Sequence, residues 1–403
     1  MLRLKRAVGV CILASAFLPS AVTHAATYYV ATTGNNGNPG TSSQPWQTVS
    51  YAVSKMVAGD TTYVKGGTYK EGPIRFGRSG TQSAPIKLLN VSGQFPIIQF
   101  ISRTTSNHQI LIQNNASYRY AIGWITIEGF DIRNGYNGIK IYNGNDITIR
   151  RNWIHDSGKQ GIIGNGTRIV FDRNRINHNG TCGSTCNQEH GLYVNGTAIT
   201  VTNNLFYDNL GYGVQLNGTV SYSSSSHPGP EFALSRNWII ANNTFAYQVN
   251  RAGIVVWGSE CDNARIENNI FYENSVKGAS YDTNGIHFTG TGSTGIVIRN
   301  NLAFASGSGG TKFLGSGGNY TQSGNIVNTL SPKFVNAPAT LPSSPNFSLA
   351  SGSPAIDKGL SISAAKISYP GTTRPQLSAY DMGAFEYYSS STLAAPTSLQ
   401  TVN

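Results

Sequence analysis

One segment near the middle of the chain concentrates side chains that could carry out acid–base chemistry. Glu189, His190 and Tyr193 bring a carboxylate, an imidazole and a phenol within five residues. β-Elimination on an acidic polysaccharide needs a neutralised uronate carboxylate, removal of the C5 proton and protonation of the leaving oxygen. We expect His190 to be the base and Tyr193 the acid, with Glu189 as a further catalytic candidate. Lys140 or Arg251 would lie beside the carboxylate.

Other chemistries remain open at this stage. A glycoside hydrolase needs two carboxylates, about 5–5.5 Å apart for retention or about 6.5–9.5 Å for inversion. Glu189 with Asp208, or Glu260 with Asp262, could supply them. A uronate C5-epimerase would share the proton abstraction of a lyase. A non-catalytic glycan- or cell-wall-binding protein would need an aromatic groove without a titrating pair.

A repeated phrase indicates how these residues are positioned. Two polar residues, the second always Asn, follow an alternating apolar stretch and precede further apolar residues. The second Asn of the phrase falls at Asn152, Asn174, Asn204, Asn243, Asn269 and Asn301. The smallest interval, 22 residues, is typical of one coil of a β-solenoid, and longer intervals indicate inserted loops. Stacked Asn side chains at a tight corner could form hydrogen-bonded ladders.

A second phrase opens each predicted strand with Gly. It starts at Gly138, Gly161, Gly191, Gly213, Gly253 and Gly285. The two phrases predict two short strands per coil. Because side chains alternate along a strand, the residues one and three after each Gly should point inward, and those two and four after it outward.

The outward positions define two rows along the solenoid. The first row is Lys140, Ile163, Tyr193, Gln215, Val255 and His287, and the second is Tyr142, Asn165, Asn195, Asn217, Trp257 and Thr289. With coils ~4.8 Å apart, the first row would span roughly 25 Å, about five sugar units. Aromatic rings can stack on sugars and amides can reach hydroxyls. We predict that the substrate is bound by Arg251, Gln215, Trp257, His287, Tyr142, Asn195 and Asn217. Inserted residues at 178–189, 219–231 and 274–283 favour a groove on this side.

Motifs at both ends of the chain carry a family resemblance. The stretches 27–30, 45–48 and 59–69 precede the coils, and 353–359, 374–375 and 381–387 follow them. Together with the coils they resemble exported right-handed parallel β-helix proteins of the pectate-lyase type, with a cap similar to that of polysaccharide lyase family nine relatives. The resemblance implies an all-β, right-handed parallel β-helix (β-solenoid) with a short N-terminal capping helix, about Val49 to Met56.

The resemblance also bears on mechanism. Lyases similar to family nine use a lysine base and a cluster of aspartates that binds calcium. The coils show no tight aspartate cluster, and Tyr193 or His287 stands where such a lysine would help. The metal ligands are therefore unknown, and a calcium cofactor stays open.

The predicted organisation is one main domain. Residues 1–25 form a signal peptide, 26–388 the β-helix domain and 389–403 a flexible tail rich in Ser, Thr, Ala and Pro. Within the domain, the cap is 26–75, the coils about 76–330 and the closing segment 331–388.

Composition favours a β-rich globular protein. Only 12% of residues are charged against a typical ~25%, and 39% are hydrophobic, which argues against disorder and against a coiled coil. Without Arg3, Lys5 and Arg6 of the signal peptide, the formal charge falls from +11 to +8. A basic exported chain suits an acidic polysaccharide.

The same features limit the partners and the location. No Lys/Arg run is interleaved with aromatic residues, so nucleic acid is not expected. No later apolar stretch approaches ~18 residues, so we expect no membrane anchor. The preferred hypothesis is a secreted, monomeric lyase acting on a polymer such as pectate or alginate, with a hydrolase next.

The cysteines leave one structural question open. The mature chain would keep Cys182, Cys186 and Cys261. Cys182 and Cys186 could close a local disulfide in an oxidising compartment, and three unpaired thiols are the alternative. The spacing lacks a second ligand pair, which argues against zinc.

Overall fold

The computed structural model describes residues 25–100, 108–180, 188–218, 234–277, 283–306 and 310–388. These residues form one α-helix, one 3-10 helix (Ser363–Ala365) and 32 strands, numbered β1 to β32 in chain order. The predicted signal peptide up to residue 24, the tail, Cys182 and Cys186 lie outside the described residues.

Each full coil carries three parallel strands, which form three faces of a solenoid. The first face contains β4 (Ile74–Phe76), β7 (Ile110–Ile112), the start of β10 (Ile139–Arg150), β12 (Ile162–Thr167), β15 (Leu192–Thr197), β18 (Val214–Gly218), β22 (Ile254–Gly258), β25 (Thr283–Phe288) and β28 (Lys312–Leu314).

The second face adjoins the first. It contains β1 (Thr27–Val30), β2 (Thr61–Val64), β5 (Ile86–Asn90), β8 (Ile122–Glu128), the end of β10, β13 (Val170–Asp172), β16 (Thr200–Thr202), β20 (Ile239–Ala241), β23 (Arg265–Glu267), β26 (Ile296–Arg299) and β29 (Tyr320–Ser323). The short strand β19 (Ser235–Arg236) pairs with the end of β15. Because β10 runs through both faces, they join into one 20-stranded sheet.

The third face is a separate 10-stranded sheet. It contains β3 (Thr68–Lys70), β6 (Ile97–Gln99), β9 (Asp131–Arg133), β11 (Trp153–His155), β14 (Arg175–Asn177), β17 (Leu205–Tyr207), β21 (Thr244–Ala246), β24 (Ile270–Tyr272), β27 (Leu302–Phe304) and β30 (Ile326–Val327). The prediction of two strands per coil is therefore wrong. The third strand is mostly three residues long, too short for its alternation to stand out in the sequence.

The predicted inward positions on the first face are confirmed. Apart from Gly164, which has no side chain and is partly exposed, the residues one and three after the strand glycines are at most 4% exposed, from Ile139 and Ile141 to Ile286 and Phe288. On the third face, Phe206, Phe245 and Phe271 stack inside the solenoid with ring centroids 5.1 Å apart at each step. A continuous apolar core therefore runs along the axis.

An asparagine ladder fixes the corner between the second and third faces. The Asn204 side chain donates to the Phe171 carbonyl at 2.9 Å and to Asn243 Oδ1 at 3.0 Å. Its own Oδ1 accepts the Asn174 backbone N–H at 2.8 Å. The same pattern continues from Asn152 to Asn325. The residue before each ladder Asn takes the left-handed conformation, as at Asn203 with φ 57°.

A second ladder, which sequence reasoning missed, lies at the corner between the third and first faces. Asn179, Asn209, Gln248, Asn274 and Asn284 pass hydrogen bonds from coil to coil. A mixture of Asn and Gln at unequal spacings hid this ladder in the sequence. It fixes the turns that lead into the first-face strands.

Segments at both ends of the chain pack against the solenoid, the helix against its first coils and the residues after 330 against the outer side of β17, β21, β24 and β27. The helix α1 (Val49–Lys55) is capped by the Thr48 hydroxyl, and Val49 and Val53 pack against the first coils. At the other end, strands β31 (Phe334–Asn336) and β32 (Asn346–Leu349) pair antiparallel. Buried Arg374 binds Glu386 and donates to the Gly383 carbonyl at 2.9 Å.

Two findings bear on the remaining expectations about the chain. No helix in the described part of the chain has the length and hydropathy to cross a membrane. Cys261 is buried as an unpaired thiol, and burial raises its pKa to about 12.

The ladder makes a direct prediction. Asn204→Ala leaves the Phe171 carbonyl and the Asn174 N–H without their buried partner, each at a cost of about 1–3 kcal/mol. We expect the free energy of unfolding to fall by about 3–5 kcal/mol in urea denaturation.

The control is Asn336→Ala, which removes one exposed hydrogen bond to the Ser344 carbonyl. It should cost less than about 1 kcal/mol. Equal losses in the two variants would contradict the structural role of the ladder.

Candidate functional site

The first predicted outward row is aligned in the structure. Lys140, Ile163, Tyr193, Gln215, Val255 and His287 are register partners on consecutive strands. The row extends back through Leu111 to Arg75. From Arg75 to His287 it contains two cationic side chains, one imidazole and no carboxylate. This face therefore presents basic and aromatic groups to solvent.

The second predicted row is less regular. Asn165 pairs with Asn195, and Asn217 with Trp257, whose indole is 41% exposed. Tyr142 falls outside this alignment because the register shifts between Ile141 and Gly144. Thr289 is exposed, and its hydroxyl accepts the Gly258 N–H at 2.9 Å. The second row therefore does not form one continuous line of side chains, and its amides and its aromatic residues lie at separate places on the first face.

His190 is buried at the start of β15. Its Nδ1 accepts the backbone N–H of Tyr212 at 3.0 Å. Burial, with a smaller contribution from the charge of Arg251, lowers the pKa of His190 to about 3, although Glu189 and a hydrogen bond with Gln215 act in the opposite direction. The ring is therefore neutral near pH 7, with its proton on Nε2. This geometry suits a residue that positions Gln215 and Tyr212 better than one that accepts a substrate proton.

Tyr193 is the half-buried phenol of this site. Its ring lies 5.7 Å from that of His190 in an edge-to-face arrangement. Its hydroxyl accepts a hydrogen bond from Asn217 Nδ2 at 3.0 Å. The proximity predicted for Tyr193 and His190 is thus present in the structure.

Glu189 is held in an ion pair. Its carboxylate lies 2.7 Å from Lys159 Nζ and accepts the Gln188 N–H at 3.1 Å, and the side chain is 4% exposed. Asp208, its proposed hydrolase partner, follows strand β17 and lines a cavity on the third face. The two members of this pair therefore have different surroundings.

The two carboxylates of the other proposed hydrolase pair form ion pairs with one arginine. Glu260 and Asp262 lie 2.9 and 3.1 Å from the guanidinium of Arg236. Asp262 also accepts the Thr294 N–H at 2.8 Å. These contacts suit a structural role at the loop that follows β22.

Lys140 lies at the other end of the site. Its Nζ is 4.8 Å from the ring centroid of Tyr142, and burial lowers its pKa. Burial and the charge of Lys140 lower the pKa of nearby His108 to about 4. Sequence reasoning missed His108, although it precedes β7 by the same two residues by which His190 precedes β15.

Arg251 and His287 meet around Tyr212. The guanidinium carbon lies 5.7 Å from the Tyr212 ring, which is parallel to the His287 ring at 6.2 Å. Burial, and secondarily Arg251, lowers the pKa of His287. Tyr212 packs with Val255, which explains why Val255 is buried although it points outward. Sequence reasoning missed Tyr212, which occupies the same place before its glycine as His190 does.

The described residues do not form a calcium site of the kind that the family resemblance implies. They contain no group of three or more His, Cys, Asp or Glu side chains arranged to hold a metal. The two first-face rows contain amide oxygens, at Asn165, Asn195, Gln215 and Asn217, but no carboxylate.

The buried neutral state of His190 predicts a pH-dependent stability. Below its ordinary pKa of 6.5 the unfolded chain takes up a proton that the folded chain excludes down to about pH 3. The free energy of unfolding should therefore decrease as the pH is lowered through this window, by up to about 1.4 kcal/mol per pH unit. The variant His190→Asn, which keeps an acceptor but cannot titrate, should lack this contribution.

The measurement is urea denaturation of both proteins at several pH values between 7 and 4. The difference between the two free energies of unfolding at each pH removes the contributions of the other titrating groups. A difference that does not change with pH would contradict the buried neutral ring.

Comparisons with known proteins place the chain in a family. The family described as "Pel9A-like, right handed beta helix region" matches residues 28–313. The chain is 30% identical over 105 residues to the uncharacterized protein YwoF of Bacillus subtilis (strain 168), a match that covers 26% of this chain and 22% of that protein. It is 40% identical over 75 residues to the pectate lyase PEL9 of Emericella nidulans, covering 18% of each.

The sequence matches span only about a fifth of these curated relatives. The crystal structure of pectate lyase Pel9A superposes with a TM-score of 0.54 at 19% identity, covering 90% of this chain and 96% of that one. That likeness shows the fold, and the family match covers most of the chain. The chain belongs to the Pel9A-like right-handed β-helix family.

Proposed function

We propose that this protein is a secreted polysaccharide lyase that cleaves an acidic, uronate-containing polymer such as pectate or alginate by β-elimination. The observation that carries the proposal is the first outward row, where Lys140 and Tyr193 flank Ile163. The pectate lyases among its relatives support a carbohydrate-active role.

The spacing of these side chains suits one sugar unit. Lys140 and Tyr193 are two coils apart, which is ~10 Å between backbones. Ile163 between them provides a low apolar surface on which a pyranose ring can lie. An amine and a phenol would then approach the same sugar from opposite sides.

The chemistry divides between those two groups. Because burial lowers the pKa of Lys140, its neutral amine is more accessible than that of an exposed lysine, and it would remove the C5 proton. Tyr193 would protonate the leaving glycosidic oxygen as the C4–O4 bond breaks and the C4–C5 double bond forms. Arg251, whose charge acts on neighbouring His190, is the cation proposed for the uronate carboxylate.

The remaining predicted contacts extend the binding site along the solenoid. Half-buried Asn195 would reach sugar hydroxyls, and exposed Trp257 would stack on a sugar further along the chain. Gln215 and Asn217, 6% and 3% exposed, support this surface from below. His190 holds the Tyr212 backbone and Gln215 in place beneath these groups. The row lacks a carboxylate pair, which favours a lyase over a hydrolase on this face.

Tyr193→Phe tests the proton donor. Removal of the hydroxyl should lower the rate of unsaturated product formation, followed near ~235 nm on a panel of uronate polymers, by about 10²–10⁴. Substrate affinity should change little because the ring remains. The matched control is Tyr63→Phe on the second face, which should keep the full rate. New reducing ends without this absorbance would identify a hydrolase instead.

Lys140→Arg tests the base. Arginine keeps the positive charge but cannot accept a proton near neutral pH, so we expect the rate to fall by about 10²–10⁴ while binding persists. In the wild type, the rate should decline as pH falls through the lowered pKa of Lys140. If Lys140→Arg retained the rate, Lys140 would serve only as a cation for the carboxylate.

A further inference from the structure

The cavity that Asp208 lines lies on the third face, away from the first-face row. Its volume is about 450 Å³, within the range of small-ligand sites. One wall comes from β11, β14 and β17, and the other from residues 341–345 of the closing segment. It is therefore built by two parts of the chain that are distant in sequence.

Arg175 is held in position at the centre of this cavity. Its Nε donates to the Tyr207 hydroxyl at 2.6 Å. Its guanidinium carbon lies 4.2 Å from the Trp153 ring and 5.3 Å from the Tyr207 ring. Trp153 in turn donates to Asn177 Oδ1 at 2.7 Å. Side chains fixed before binding reduce the entropy lost when a ligand is bound.

A row of titratable residues borders the cavity. Asp156, His178 and Asp208 follow consecutive strands in the same left-handed conformation, with φ of 55°, 52° and 53°. Asp156 receives hydrogen bonds from His155 and His178, each at 2.7 Å. These bonds lower the pKa of Asp156, whereas burial raises the pKa of Asp208. The row presents one carboxylate already paired and one more readily protonated.

The closing segment anchors the opposite wall. The Phe347 ring lies 5.4 Å from that of Tyr207. The Tyr272 hydroxyl donates to the Ala337 carbonyl at 2.9 Å, and Tyr247 donates to the Pro338 carbonyl. Pro342 and Pro345 restrict the backbone of the wall itself. The cavity therefore forms between the third face and the segment that packs against it.

We propose that this cavity is a second carbohydrate site, which binds a neutral saccharide unit. Arg175, Asp208 and Asn177 offer donors and acceptors for hydroxyl groups, beside the apolar surfaces of Trp153 and Leu341. The carboxylates of Asp156 and Asp208 offset the charge of Arg175, so the cavity lacks the excess of positive charge that distinguishes the first face and that a uronate carboxylate would need. A neutral end or side branch of a polysaccharide has the required chemistry, and this site does not depend on the lyase proposal.

Calorimetric titration of the full chain with galactobiose, xylobiose, arabinobiose and cellobiose, each to about 10 mM, tests the proposal. We expect at least one of them to bind. Arg175→Met keeps the aliphatic stem but removes the donors, and Asp208→Asn is nearly isosteric; each should weaken binding about tenfold. Arg168→Met is the matched control, because Arg168 is an exposed arginine paired with Asp146 on the opposite part of the coil, and it should bind normally.

The outcomes separate this site from the first face. Unchanged melting temperatures would show that both cavity variants fold, and both should keep any lyase activity. If none of the four disaccharides bound, the proposal would be overturned. It would also be overturned if Tyr193→Phe abolished binding while Arg175→Met and Asp208→Asn did not.

Discussion

The backbone of each coil must stay in register with the next, and the buried asparagine ladder imposes this requirement at the corner between the second and third faces. Each ladder side chain links two coils, as Asn204 does when it binds the Phe171 carbonyl and the Asn174 N–H of the preceding coil. A slip of one residue would turn the inward row outward. The alignment of Lys140, Ile163 and Tyr193 on the first face therefore depends on amide contacts on the far side of the core.

The candidate site also depends on buried polar contacts, which lie at the turns that lead into the first-face strands. The position before each strand glycine holds His190 in one coil and Tyr212 in the next, and the imidazole accepts the Tyr212 N–H. A charged ring in this buried place would be costly, so it is neutral and acts as a fixed acceptor. The same arrangement places Arg251 and His287 around Tyr212. The site is thus a surface supported by buried polar contacts.

Much of this architecture is readable from the sequence. The recurring Asn and Gly phrases were sufficient to predict the solenoid, the inward residues and the first outward row, because period-two alternation is independent of the loops between strands. The third strand of each coil was not predicted, because three residues are too few to show a periodic pattern. His108 and Tyr212 were not predicted as site residues, because turn conformations bring them close to the first-face row. The third-face cavity needs contacts between Tyr207 and Phe347, 140 residues apart, which no local pattern reveals.

The two faces differ in electrostatics in a way that bears on polymer recognition. Arg75 and Lys140 lie in a first-face row without a carboxylate, whereas Asp156 and Asp208 stand beside Arg175 in the third-face cavity. One coil can present both environments because its three strands face in different directions. Solenoid geometry thus allows an acidic main chain and a neutral saccharide to be recognised by separate surfaces.

A crystal structure of the Tyr193→Phe variant with a uronate tetrasaccharide tests the central claim most directly. The account predicts a sugar over Ile163, with its C5 towards Lys140, its glycosidic oxygen towards residue 193 and a carboxylate near Arg251. An oligosaccharide bound on another face, or one on the first face with its scissile bond remote from Lys140, would contradict it.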